Sequence, residues 1–115
     1  MKKTIAIAAG LAAAGALHAA AADKPIKFWN LTAETISEFY LAPAGTTRWG
    51  INQCTNDKDG TVETDEMVTI TGIKPGHYDA KLKDMSGRTC LVKGIRVKAH
   101  SVFSIAEKQL TECTK

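Results

Sequence analysis

The chain has 115 residues and carries 15 Lys and Arg against 12 Asp and Glu, for a formal charge of +3, with three cysteines and two tryptophans. That length makes one domain rather than several. The basic residues are scattered and aromatics reach only 6%, which excludes the clustered basic, aromatic-laced stripe of a nucleic-acid-binding protein.

In chain order the first element reads as a leader. Lys2 and Lys3 precede an uncharged run at 4–17, and "HAAAAD" supplies small residues ahead of Asp23. This is the three-part pattern of a secretory signal peptide. The run of about 14 residues is shorter than the roughly 20 that span a bilayer, and no cysteine follows directly for a lipid anchor. The expected division is a signal peptide at 1–22 and a single domain at 23–115, with cleavage after Ala19, Ala20 or Ala22. The expected location is the periplasm or the medium, with no membrane span. Cleavage after Ala22 leaves 93 residues, near the small end of self-sufficient domains. The remaining charge is divided: residues 57–66 carry −4 and the rest of the mature chain +5, a patterning more telling than the sum.

After the leader, short runs rich in β-branched and aromatic residues alternate with turn signals, and no sustained 3.6-residue apolar period occurs. "IKFWNL" sets Ile26 and Phe28 against Lys27 and Trp29. "TISEFYLA" follows, "PAG" at 43–45 turns the chain, and "TTRWGI" at 46–51 reads as a third short strand. Beyond an acidic loop, "MVTIT" puts Val68 and Ile70 on one face. "IKPG" is a Pro-Gly turn. "HYDAKLKD" places Tyr78, Ala80 and Leu82 inward, with His77, Asp79, Lys81 and Lys83 outward. "MSGR" turns around Gly87 into "TCLVKGIRVK", where Ile95 and Val97 face inward, Arg96 and Lys98 outward, and Gly94 marks a bulge. "SVFSIAE" brings Phe103 and Ile105 together, and "KQLTEC" closes the domain. About seven strands in about 90 residues predict an all-β fold, a single small β-sandwich of Ig-like or prealbumin-like type.

Three cysteines allow three single pairings with one thiol left over. Cys90–Cys113 is the expected disulfide, since both lie in a C-terminal half that reads as adjacent strands. Cys54 is then either buried or joined to a second chain.

The segment "VTITGIKPGHYDAKLKDMSGRTC" resembles the hairpin of prealbumin-like and carboxypeptidase-regulatory-like domains, through Pro75, Gly76, Tyr78, Asp84 and Gly87. The likeness covers roughly a third of the mature chain. It implies an adhesive or scaffolding module and brings no catalytic residues. The N-terminal half resembles small exported bacterial proteins of unassigned function. The shared pattern runs through Asn30, Thr32, Ile36, Tyr40, Pro43, Gly45, Trp49 and Gly50.

Two clusters are candidate sites. In the loop 55–66, setting Gly60 at position 6 of a calcium loop places Asp57, Asp59, Glu63 and Glu66 at positions 3, 5, 9 and 12. Thr55 stands where the first Asp belongs, and strands rather than helices flank the loop. A solvated turn around "KDG" is the competing reading, with weak calcium as the one candidate cofactor. The second cluster is a basic face of Lys81, Lys83, Arg96 and Lys98, suited to another exported protein or an anionic envelope polymer. Its competing reading is an ordinary solvated lysine face. No nucleophile with a base, no G-x-S-x-G elbow and no paired-carboxylate cleft is written in the chain. The expectation is therefore a non-catalytic binding or accessory module acting through an exposed sheet edge or the basic face. The alternative is a calcium-stabilised structural protein using the acidic loop.

Overall fold

The computed structural model describes residues 24–115; the predicted signal peptide lies outside the described residues. Among the described residues, seven strands form two sheets. They are β1 (Ile26–Leu31), β2 (Ile36–Pro43), β3 (Met67–Ile70), β4 (Gly76–Asp84), β5 (Thr89–Val97), β6 (Val102–Ala106) and β7 (Glu112–Thr114). One sheet has the order β3-β1-β6 and the other β2-β4-β5-β7. All pairings are antiparallel except β1 with β6, which run parallel. The expected all-β sandwich is the observed fold.

Alternation of side chains builds the core. Period-two patterning sends Phe28, Val68, Ile70, Phe103 and Ile105 from one sheet toward Phe39, Leu41, Ala80, Leu82, Val92 and Val97 from the other, all of them buried. The two sheets meet through three aromatic rings. Phe28 of β1 stacks on Phe39 of β2 with centroids 4.1 Å apart and planes 6° from parallel, and Phe103 of β6 tilts against both.

Residues 46–51 do not form the predicted strand. Gly45 takes a left-handed φ of 80°, Thr46 N–H closes a turn on Pro43 O at 3.0 Å, and Gly50 N–H reaches Leu41 O at 3.0 Å. The chain therefore folds back along the edge of β2 instead of starting a new strand. Asn52 completes the cover, accepting from Phe39 N at 3.0 Å. An edge of the other sheet, β3, is satisfied by a short 3-10 turn (Gln53–Asn56): Asn56 Nδ2 donates to Thr69 O at 2.8 Å and Gln53 Oε1 accepts from Thr71 N at 3.0 Å. Both devices close edges that would otherwise template aggregation. The closing "KQLTEC" run contains the end of a 3-10 turn at Glu107–Gln109 followed by β7.

The motifs that carry the family resemblances prove architectural. Buried Asn30 donates to Glu34 O and Val62 O at 3.0 and 2.9 Å, and its Oδ1 accepts from Thr32 N and Thr32 Oγ1 at 2.9 and 2.7 Å. All its polar capacity is used, which is what a buried amide requires. Tyr78 Oη donates to Lys74 O at 2.7 Å, fixing the Pro-Gly turn. Asp84 Oδ1 accepts from Ser86 N, Ser86 Oγ and Arg88 N, and Oδ2 from Arg88 Nε at 2.9 Å. Burial alone pushes the Asp84 carboxyl up, but the bonds from Ser86 and Arg88 hold it below the ordinary carboxylate value. Arg88 Nη1 also reaches Glu107 Oε2 at 2.7 Å, and Glu107 Oε1 accepts from Ala33 N at 2.9 Å. One guanidinium thus joins the β4–β5 hairpin to the loops of the other sheet.

Cys90 and Cys113 face each other in the β5–β7 register and form the disulfide expected from the sequence. Closing that 23-residue separation contributes about 3 kcal/mol on chain-entropy grounds, and it anchors a strand of only three residues. Cys54 is the buried free thiol, its Sγ 3.6 Å from Ile36 O.

Since Phe39 is fully buried in the aromatic contact between the sheets, Phe39→Ala is expected to lower stability by about 3–5 kcal/mol. Urea unfolding followed by fluorescence checks this, and a midpoint within error of the parent chain's would contradict the account of the core.

Candidate functional site: a basic end and an adjoining aromatic face

The register places one chemistry at one end of the sandwich. β1 starts beside the end of β3 (Ile26 opposite Ile70), β6 starts beside Lys27, and β4 starts beside the end of β5 (Gly76 opposite Val97). The turns 71–75 and 98–101 join these same strand ends. Sequence segments 24–33, 67–78 and 93–106 contain no Asp or Glu. Folding therefore gathers Lys24, Lys27, Lys74, His77, Arg96, Lys98 and His100 at one end. His77 and Arg96 are direct cross-strand partners.

Two depressions lie here. The first, of about 400 Å³, is lined by Pro75, Gly76, His77, Arg96, Val97, Lys98 and Ala99. The second, of about 290 Å³, is lined by Lys24, Pro25, Lys27, Met67, His100 and Val102. Among the described residues, neither lining includes an acidic side chain. His100 adopts φ 56°, and its Nδ1 lies 2.7 Å from Lys24 O, which ties the start of the described chain to the turn entering β6.

The predicted basic face is divided by this geometry. Lys81, Lys83 and Arg96 are on the outward side of β4 and β5 and Lys98 directly follows β5, but they are not one patch. Arg96 and Lys98 belong to the basic end. Lys83 stands opposite Glu38 in the β2–β4 register. Lys81 is only half exposed, with Nζ 5.1 Å from the Tyr40 ring centroid and 5.0 Å from that of Trp49. Such cation–π contacts hold a lysine in place, so Lys81 organises two aromatic rings rather than serving as a free charge. Tyr40 Oη donates to Glu38 Oε1 at 2.8 Å, and that bond raises the phenol above its ordinary pKa.

Beside Trp49 lies a pocket of about 150 Å³, lined by Gly45, Thr46, Thr47, Trp49, Asp79, Leu91 and Lys93. Alternation along β4 predicts Asp79 outward. It is on the outward side of β4, but only 7% exposed. The reason is the bulge at Gly94: the β4–β5 register shifts between Tyr78 and Ala80, and Gly94 takes φ 72°. The turned-in Gly94 N–H donates to Asp79 Oδ1 at 3.0 Å, while Gly45 N–H donates to Oδ2 at 2.9 Å. The Gly45 bond, then the Gly94 bond, hold this carboxyl below its ordinary value.

The acidic loop spends its carboxylates on its own backbone and on the Trp29 indole. Asp57 Oδ2 accepts from Asp59 N at 2.9 Å, Glu66 Oε1 from Glu63 N at 2.7 Å, and Asp65 Oδ1 from Trp29 Nε1 at 3.1 Å. Asp57, Asp59, Glu63 and Glu66 are not brought into one cluster. Among the described residues no three His, Cys, Asp or Glu side chains converge as a metal set. Cys54, the one free thiol, has its pKa pushed up to about 12, first by burial and then by the charges of Asp57 and Glu38.

Sequence reading missed Lys24, Lys27, Lys74, His77 and His100 as members of a shared surface. The available signal was the long absence of acids from 67–78 and 93–106. Comparisons with protein-family models, with curated proteins and with solved structures found no match.

Two outcomes follow from these environments. Native protein at pH 8 is expected to leave Cys54 unmodified by a thiol reagent over the time in which unfolded protein reacts fully; rapid native labelling would show the thiol to be accessible. Asp79, Asp84 and Glu107 all have lowered folded-state pKa values. Their stabilisation is complete above the ordinary carboxylate range, about pH 4, and is lost as pH falls through the folded values. Denaturant titrations between neutral and acid pH are expected to show a level region and then a fall below about pH 4. Asp79→Asn is expected to be less stable at neutral pH and to fall less steeply in acid.

Proposed function

We propose that the protein is an exported, non-catalytic binding module of prealbumin-like or Ig-like type, and that it recognises an anionic envelope polymer through its basic end. The observation that carries this reading is the segregation of charge. Five Lys or Arg and two His from segments far apart in sequence meet around two depressions whose linings, among the described residues, hold no carboxylate. Like charges gathered without counter-ions repel one another, and a polyanion relieves that repulsion while gaining Coulomb attraction. Lysines kept only for solubility would be interspersed with acids, as Lys83 is with Glu38.

Export is supported by the leader pattern and by the disulfide between β5 and β7, since such bonds persist in oxidising compartments. No helix among the described residues is long and apolar enough to cross a membrane. The prealbumin-like assignment is supported by the work of its motif residues, the Tyr78–Lys74 bond and the Asp84 turn.

The test is retention on immobilised polyphosphate and polygalacturonate. The parent chain is expected to bind at ~0.03 M salt and to be released by ~0.3 M, where screening shortens the reach of charge. Arg96→Gln combined with Lys98→Gln is expected to weaken binding by roughly tenfold or more, about 1.4 kcal/mol. Lys83→Gln, away from that end, is expected to change it little. Equal binding by the double variant would remove the basic end from the function. Capture of acidic proteins with no retention on either polymer would replace the polymer with a protein partner.

A further inference from the structure

The Trp49 pocket and the basic end adjoin on one sheet face. On β4, His77, Asp79 and Lys81 are successive outward residues, each roughly 7 Å from the next. On β5, Leu91, Lys93 and Arg96 run alongside them, the bulge at Gly94 keeping Arg96 outward. A ligand lying along β4 therefore passes from the Trp49 indole, over Asp79 and Lys93, to His77 and Arg96.

The pocket has a defined chemistry. One wall is the Trp49 indole, held in place by the Lys81 ammonium, which also sits over Tyr40. A ring fixed before binding loses little freedom on binding. Leu91 supplies further apolar surface. Asp79 is nearly buried, and each of its oxygens accepts a single backbone bond. An ionised carboxylate has about four acceptor positions, so two remain, and the residue lines the pocket. The Thr47 hydroxyl and the Lys93 ammonium add donors at the rim. At about 150 Å³ the space lies well below the ~300–1,000 Å³ that encloses a drug-sized molecule, and it suits one ring with a polar edge and an apolar flat face.

We infer that the Trp49 pocket takes one pyranose ring of an acidic glycan, its C–H face on the indole, its hydroxyls on Asp79 and Thr47, and its acidic substituents directed toward Lys93, Arg96 and His77. The inference rests on the polyanion reading of the basic end and names the chemistry of that polymer. A pyranose presents a hydrocarbon face bounded by hydroxyls, which matches an indole wall with a carboxylate beside it. The carboxylate accepts from two neighbouring hydroxyls. It also repels any ligand whose negative charge sits inside the pocket, so the acidic groups are directed outward to the cations. Lys81 acts here as a positioning residue for the indole.

The experiment titrates the full mature chain with three probes, followed by indole fluorescence and calorimetry. The probes are oligomers of galacturonate, glucuronate and mannuronate; neutral glucose and mannose oligomers; and polyphosphate, which has charge without a sugar ring. At least one acidic oligosaccharide is expected to bind and to shift the indole emission. Trp49→Ala is expected to weaken it by tenfold or more, Trp49→Phe to restore most of that loss, and Arg96→Gln to weaken it separately. Polyphosphate is expected to bind the parent chain and Trp49→Ala alike, which also shows that the variant is folded. Acidic oligosaccharides bound equally with and without Trp49 would overturn the pocket assignment and leave the polyanion reading standing. Failure of every acidic oligosaccharide while polyphosphate binds has the same meaning. Failure of all three probes overturns both readings. Neutral oligomers bound as tightly as acidic ones, with no effect of Arg96→Gln, would overturn the acidic character of the ligand.

Discussion

The contact of Phe28 with Phe39 is the constraint on which the remaining structure depends. These rings come from different sheets, lie nearly parallel and are wholly removed from water. With Phe103 they fix how far apart the sheets stand and how they are aligned. A domain of this size buries few large side chains, so a small number of aromatic contacts carries a large share of the apolar driving force. The ends of the sandwich are then defined, and so is the set of turns that meets at each end.

From that alignment the polar features follow. At one end, Arg88 links Asp84 to Glu107, and Glu107 holds the Ala33 amide. Charges there are paired and bonded to backbone, which spends them on structure. At the other end, the turns entering β4 and β6 bring cations together around depressions whose described linings hold no acid. The same fold thus uses charge in two ways. Paired charges close loops, and unpaired ones leave a field available to a ligand.

The outward side of the β4–β5 sheet shows how a small irregularity creates chemistry. Without the bulge at Gly94, Asp79 would stand in solvent as alternation predicts. With it, two backbone N–H groups converge on the carboxylate and draw the Gly45 loop inward. That loop carries Trp49 back over β4, where Lys81 and Tyr40 receive it. A loop that covers an exposed strand edge also builds the wall of a pocket.

Most of the strands, their inward faces and the Gly94 bulge were legible in the sequence, because each rests on local periodicity or on a residue with a special backbone range, whereas the Cys90–Cys113 pairing was one of three until the β5–β7 register decided it. Phe28, Val68, Leu82 and Phe103 sit where alternation puts them. The turn at 43–45 was read, but 46–51 was misread as a strand, since its β-rich composition does not reveal that the segment lies back along the edge of β2. Only the tertiary structure decided which charges are neighbours. Lys27, His77 and Arg96 are far apart along the chain and share an end because strand order and register place them there, while Lys81 and Lys83, two residues apart, have different surroundings. Local sequence fixes what each strand can bury; the pairing of strands, which depends on contacts distant in sequence, fixes what the surface can bind.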